Sequence, residues 1–370
     1  MWKLFVALQI SWLAFLGNFA AAVPNPAFVS ISKSFKLTVV QASHELTVYI
    51  IFAGIGPFLI TPIANVYGRR PVYLAGNLLA GLCNVIAGFV GSWSGLLVTR
   101  VFCGIGSGAA ASIGAATICD LYFMHERGFY MGIFTLFLTN GAHLAPLVGG
   151  YIAEDLGWKY CFSIPGYIQL ATLAINLVSL PETLYSRKDQ LDHQEHSYMD
   201  LLLFKASRLT DRKLYFADFL RPFYMLKYAA IVIPAIYYMT AFAYGTVLFA
   251  TTGSSIFTKL YHFNVAQTGL MLSIPLTIGC LIGEASAGWV TDYMVYLYAK
   301  RHEGHRKPEP RLNALLLALL LPLGVIIDGV CIQRHATIHW IGPAFGMGIA
   351  CFGLQVATTV TYSYCTDVSD

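Results

Sequence analysis

Apolar runs of about twenty residues recur along the chain, separated by short charged or Gly/Pro-rich turns. They lie near 4–28, 46–66, 71–92, 95–118, 128–151, 159–180, 228–250, 266–290, 312–333 and 337–363. At ~1.5 Å rise per residue, each run as a helix crosses the ~30 Å hydrocarbon layer of a bilayer. None alternates with period two, so helices rather than barrel strands are predicted. The pattern predicts an all-α polytopic membrane protein with ten spans. One long polar stretch breaks it: residues 183–226 mix Asp189, Asp192, Glu195, Asp200, Asp211 and Asp218 with basic residues. The expected domains are a six-helix bundle over 1–182, a cytoplasmic linker over 183–226 and a four-helix bundle over 227–370. Such a linker suits two bundles that rock against each other. Within it, Tyr198 to Phe204 reads either as a short interfacial helix or as disordered chain.

Composition agrees. Of 370 residues, 57% are hydrophobic and only 11% charged, against about 25% charged in soluble domains. That leaves too little charge for a soluble exterior. The net charge of +4 matters by its placement. With the N-terminus inside, the inner side holds seventeen Lys and Arg and the outer loops five, with Arg100 inside a span; this predicts a cytoplasmic N-terminus. Trp93, Trp158 and Trp340 then fall at the outer boundary, where indoles settle. No basic stripe stands apart from the membrane-flanking loops, so nucleic acid is not an expected partner.

Eight cysteines, mostly within apolar runs and without a C-x-x-C pair, support neither a metal site nor a disulfide framework. Met1-Trp2-Lys3 followed by an apolar run ending Ala20-Ala21-Ala22 has the outline of a signal peptide. The run continues through Asn25 and Pro26 without a polar exit, and a first span is the reading taken. No HExxH, GxSxG or phosphate-binding loop occurs, so neither an enzyme nor a cofactor is expected.

Charges inside apolar spans cost several kcal/mol and mark functional candidates. Arg100 heads Arg100-Val101-Phe102-Cys103-Gly104-Ile105-Gly106-Ser107-Gly108, where Gly104 and Gly108 form a GxxxG face for close helix approach; the other reading of Arg100 is that it snorkels to the outer interface. Glu284 lies on a small-residue face with Gly283, Ala285, Ser286, Ala287 and Gly288, suited to proton exchange, to cation pairing or to a structural salt bridge. Asp328, near an outer end, is a weaker candidate that reaches interface water. Asn140 to Gly150 places Gly141, Pro146, Gly149 and Gly150 in one span, where proline bends the helix and glycines permit close contact. His143 beside them is either titratable or a packing residue. The junction Asn65-Val66-Tyr67-Gly68-Arg69-Arg70-Pro71 joins spans 2 and 3 tightly. Gly288-Trp289-Val290-Thr291-Asp292 reads as a related junction 227 residues later, the trace of a duplicated bundle.

Together these segments resemble the major facilitator superfamily, most closely its fungal drug:proton antiporter type. Pro62 to Pro71 looks like the cytoplasmic gating motif, Arg100 to Gly108 the span 4 motif whose arginine is implicated in proton coupling, and Gly141 to Gly150 the antiporter motif. Leu180-Pro181-Glu182-Thr183 and Pro308-Glu309-Pro310-Arg311-Leu312 are further marks of the fungal branch. The chain departs from the pattern at Thr61 and Asn65, where the family has Gly and Asp, and at Ala145, where it has Gly.

The resemblance implies a major facilitator fold of two pseudo-symmetric bundles, with about ten of the usual twelve helices present, so that the C-terminal bundle is incomplete. A truncated gene model or an altered splice product is the expectation, over a purposeful ten-span protein. The implied function is secondary active export of a small organic molecule in exchange for protons, by alternating access. The protein is expected as a monomer in the plasma membrane. Proton coupling falls to Arg100 and Glu284, and gating to Asn65, Gly68, Arg69, Arg70, Gly288 and Asp292. Asn18, Asn25, Tyr237, Tyr244, Gln355 and Tyr362 are cavity candidates. Two rivals remain open: uptake of a nutrient or organic cation, and a non-transporting paralogue or sensor.

Overall fold

In a computed structural model the structure describes residues 2–184, 214–301 and 309–368. The described chain forms thirteen α-helices: α1 Trp2–Ala22, α2 Phe28–Phe35, α3 Val39–Tyr67, α4 Arg69–Phe89, α5 Trp93–Leu121, α6 Met124–Asp155, α7 Tyr160–Ser179, α8 Phe216–Tyr224, α9 Ala229–Phe242, α10 Leu248–Leu260, α11 Val265–Arg301, α12 Leu320–Gln333 and α13 Ile341–Val368. Short helical turns join several of them. Alone or with such a turn, they give ten helical segments long and apolar enough to cross a membrane.

The largest departures from the sequence reading are at helix ends. The helix of span 2 starts at Val39 rather than residue 46 and is 29 residues long, so it carries Glu45 within it. Span 8 does not end near 290: α11 runs 37 residues to Arg301. Gly288 to Asp292 are therefore helix interior rather than a turn, and the junction proposed there as a repeat of the Gly68 turn is not one. Residues 293–301 read YMVYLYAKR and contain neither glycine nor proline, so nothing in them stops the helix before Arg301. The seventh span contains a π-helical turn, Ala243–Val247, between α9 and α10. The segment Tyr198 to Phe204 and most of the linker lie outside the described residues. After it comes α8, whose Phe223 ring stacks on Phe58 of α3 at 5.0 Å.

By packing, the chain divides into two compact units. Unit 1 comprises Met1–Ala21, Ser43–Gly141 and Leu156–Tyr224; unit 2 comprises Ala22–Ala42, Ala142–Asp155 and Met225–Asp370. The division does not follow chain order, because the second parts of the first and fifth spans pack with the helices that come after residue 225. In unit 1 the core gathers Val6, Ile10, Leu13, Tyr73, Ile113, Phe134 and Leu180. In unit 2 it gathers Ala287, Ala318, Leu321, Leu354, Val356 and Val360, where small residues let helix backbones approach. None of the eight cysteines is disulfide-bonded, and six of them are buried.

Candidate functional site

In unit 1 the polar centre is Arg100. It is fully buried at 0% exposure, so it does not snorkel to the interface. Its position is fixed from three sides. One guanidinium nitrogen donates to Asn84 Oδ1 on α4. Asn84 in turn donates to Gln169 Oε1 on α7 at 2.7 Å. The guanidinium carbon lies 4.7 Å from the centre of the Phe162 ring, a cation–π contact. The third neighbour is Glu45, also at 0% exposure, whose Oε2 stands 3.9 Å from Arg100 Nε. This is close enough to pair charges but too long for a hydrogen bond, and neither Glu45 oxygen has a donor among the described residues. Sequence reasoning missed Glu45 because the second span was begun one residue after it. The available signal was the helix-compatible run from Val39 that keeps Glu45 within the same helix.

The glycine spacing after Arg100 does what it predicts. A Cβ on Gly104 would lie about as close to the Tyr49 carbonyl of α3 as a hydrogen-bonded atom, and one on Gly108 would do the same at Ala53. Gly104 is one turn beyond Arg100, and Tyr49 is one turn beyond Glu45. The close backbone approach thus seats the two charges opposite each other.

At the other end of α5 lies the segment that joins α3 to α4. Gly68 adopts φ +101°, a conformation that favours glycine, and this turn starts α4. The Glu182 carboxylate caps that start: Oε1 accepts from Arg69 N at 2.9 Å and Oε2 from Arg70 N at 3.1 Å. A negative charge at a helix N-terminus satisfies unpaired N–H groups and meets the positive end of the dipole. The Arg69 side chain pairs with Asp120 Oδ2 at 2.5 Å, and Arg70 donates to the Leu177 carbonyl at 2.7 Å. Asp120 was missed because it lies just beyond the predicted end of span 4. Asn65 is exposed and is not part of this cluster. Glu182→Ala is expected to lower unfolding stability by about 0.5–2 kcal/mol, the usual cost of a lost N-cap, measured as a thermal shift in detergent. At Gly288 an added Cβ meets nothing within 4 Å. Gly288→Ala is therefore expected to raise stability by roughly 0.5–1 kcal/mol through helix propensity, in the same assay. The Asp292 side chain lies outside the described residues.

Unit 2 holds a second carboxylate within a span. Glu284 on α11 is half-buried, and its Oε2 accepts from Gln355 Nε2 at 2.6 Å and from Thr359 Oγ1 at 2.5 Å, both on α13. The Gln355 carbonyl oxygen accepts the Cys280 thiol at 3.2 Å. Gly283 makes this possible, since a Cβ there would lie 2.8 Å from the Phe352 carbonyl and 2.9 Å from Gln355 Cβ. Asp328 does not reach interface water: it is 7% exposed, and its Oδ1 has no hydrogen-bond partner among the described residues.

The glycines of α6 also serve close contacts. A Cβ on Gly141 would collide with the Phe15 carbonyl of α1, and one on Gly149 with the Val23 carbonyl. Gly150 faces Ala266 and Gly269 of α11, and Glu154 at the helix end accepts from Ala266 N at 2.8 Å and Asn264 Nδ2 at 2.9 Å. His143 is buried, with Nε2 3.4 Å from Thr246 Oγ1 in the π-helical turn and 3.7 Å from Cys351 Sγ.

The cavity candidates are drawn from both units. Asn18 donates to the Leu138 carbonyl at 2.7 Å in unit 1. Asn25 is buried in unit 2, with Oδ1 lacking a donor among the described residues. Tyr237 and Tyr244 are 37% and 52% exposed. Gln355 binds Glu284, and the Tyr362 ring stands edge-on to Tyr238 at 5.9 Å.

Comparison with known proteins places this arrangement. The family model described as Major Facilitator Superfamily matches residues 10–368. The chain is 28% identical over 365 residues to the MFS transporter cpaT of Aspergillus oryzae, covering 97% of this chain and 73% of that protein. It is 29% identical over 333 residues to the efflux pump radE of Floropilus chiversii, covering 88% and 61%. In structure it is similar to the xylose transporter XylE from E. coli in a partially occluded inward-open conformation, with TM-score 0.67, 18% identity and coverage of 99% and 91%. The chain belongs to the Major Facilitator Superfamily.

Proposed function

We propose that this transporter is a secondary active exporter that moves a small organic molecule outward in exchange for protons. The observation that carries the reading is the Glu45–Arg100 pair: two fully buried charges 3.9 Å apart, with neither carboxylate oxygen hydrogen-bonded among the described residues. A carboxylate held by charge alone gives up little hydrogen bonding when it takes a proton, so protonation and release of Arg100 are linked events. Arg100 is also tied through Asn84 and Gln169 to α4 and α7, which gives the proton a mechanical consequence. Export rather than uptake is supported by radE, which is an efflux pump. The glycine contacts of α6 and the Glu182 cap act as sliding and gating surfaces, and Glu284 is a lesser coupling candidate. The seventeen-to-five distribution of basic residues supports a cytoplasmic N-terminus. The plasma membrane is the proposed location, with the protein acting as a monomer.

The test is transport by the full chain in proteoliposomes carrying an imposed pH gradient, with a panel of small organic solutes. Gradient-dependent movement of solute against the proton flux is expected. Solute movement in the same direction as protons would replace export by symport, and no movement of any solute would remove the reading.

A further inference from the structure

One helix of unit 1 is too short to be a span. α8, Phe216–Tyr224, has nine residues, about 13 Å at ~1.5 Å rise each, against a hydrocarbon layer of ~30 Å. At ~100° per residue it divides into two sides. Asp218, Phe219 and Pro222 share the side turned to the protein, where Asp218 is buried and the other two are half-buried. Phe216, Leu220, Phe223 and Tyr224 share the other side and are all exposed, Phe216 at 79%. Arg221 stands at the far edge of that exposed arc. The acid of the helix is turned in: Asp218 Oδ2 accepts from Tyr215 N at 3.1 Å, and Oδ1 pairs with Arg221 Nε at 3.4 Å. The exposed side of α8 thus grades from apolar rings to a guanidinium and presents no acidic residue.

A contact with α3 indicates what covers the rings. Phe223 stacks on Phe58 at 5.0 Å. α3 has 29 residues, about 43 Å, so when centred on the ~30 Å layer it extends about 7 Å beyond it at each end. Phe58 lies nine residues before the end at Tyr67, about 13 Å along the axis, and hence about 7 Å inside the hydrocarbon. Helices that lie in a membrane interface bury their apolar side by ~5–10 Å, which is the depth this stack gives α8. The face of α3 that receives Phe223 is itself open: Ile51, Ile55 and Leu59 are exposed beside Phe58, at the spacing of one helical stripe.

We infer that α8 is an in-plane membrane anchor whose ligand is phospholipid of the leaflet at the Tyr67 end of α3. Phe216 and Leu220 lie among the acyl chains, and Arg221 stands at headgroup level, its stem in apolar surroundings and its charge at the phosphates. The anchor holds the chain in the plane of the membrane just before α9 begins. Neither transport nor its direction is needed for it, so it stands or falls apart from the export reading.

The test uses the full chain in nanodiscs of phosphatidylcholine and phosphatidylglycerol. Phe216→p-benzoylphenylalanine and Leu220→p-benzoylphenylalanine are irradiated, and the adducts are identified by mass. One phospholipid per chain is the expected main adduct, attached through its acyl chain. Arg221→p-benzoylphenylalanine, at the polar edge, is expected to give at least threefold fewer acyl adducts. The unaltered chain is tested in parallel with a phosphatidylcholine that carries a diazirine midway along its acyl chain. The peptide holding residues 214–224 is expected to be labelled within about threefold of the peptide holding Ile51 to Leu59. Cross-links from position 216 or 220 to residues 185–213 or to a second copy, in place of lipid, overturn the inference. So do acyl adducts equally frequent at all three positions, or diazirine labelling of 214–224 more than tenfold below that of α3.

Discussion

Replacing Glu45 by Gln is expected to abolish acceleration of transport by a pH gradient while leaving solute exchange without a gradient near the wild-type rate. The amide has nearly the shape of the acid but carries no titratable proton, so the proposed link to protons is lost while the packing around Arg100 is kept. Arg100 stays anchored in this variant by Asn84 and by the Phe162 ring. Arg100→Ala is expected to behave differently. It leaves Glu45 at 0% exposure without a countercharge, and losing one member of a buried pair costs about 3–5 kcal/mol. That variant should fold poorly unless Glu45 is neutralised as well, so Glu45→Gln/Arg100→Ala is expected to recover part of the lost thermal stability. Gradient-driven transport and zero-gradient exchange in proteoliposomes, with unfolding followed in detergent, separate these effects. Wild-type gradient response in Glu45→Gln would remove Glu45 from the coupling step.

Gly104→Val is expected to disable the same site without touching either charge. The hydrogen atom of Gly104 lies against the Tyr49 carbonyl of α3, where even a Cβ would be closer than van der Waals contact permits. A valine must push α3 away from α5, and because both neighbours are helix backbone neither can yield by changing rotamer. Overpacking of this kind costs typically ~1–3 kcal/mol. The displacement falls one turn from the Glu45–Arg100 pair, whose 3.9 Å separation has little length to spare. Loss of gradient-driven transport together with a lowered unfolding temperature is expected, whereas Gly288→Val, placed where an added Cβ meets nothing within 4 Å, should leave stability within about 1 kcal/mol of wild type. Equal effects at the two glycines would show that close approach of α3 and α5 is not what Gly104 provides.

Much of the site was legible before the structure, but unevenly. Arg100, Gly104, Gly141, Gly149 and Glu284 stood out because charge, or runs of small residues, are conspicuous in an apolar span. Glu45 and Asp120 did not, since each lies within two residues of a predicted span edge and edges drawn from hydropathy ignore helix that continues past the apolar run. Gly288 to Asp292 failed for the same reason in reverse: a polar break in hydropathy was read as a turn, while α11 continues to Arg301. Glu182 was noticed as part of a motif, but its role as the cap of α4 depends on a contact spanning 113 residues.

The sequence by itself determined the class of protein, the ten apolar helices and the family, because the length of an apolar run against the thickness of a bilayer is a local property. Only the tertiary structure decided which groups meet. Glu45 faces Arg100, Glu182 caps α4, and Gln355 and Thr359 hold Glu284 across 71 and 75 residues. The Glu45–Arg100 and Glu284 pairings depend on the rotation and register of two helices packed through glycine. That register is set by the summed fit of whole helix faces, and no short stretch of sequence encodes it.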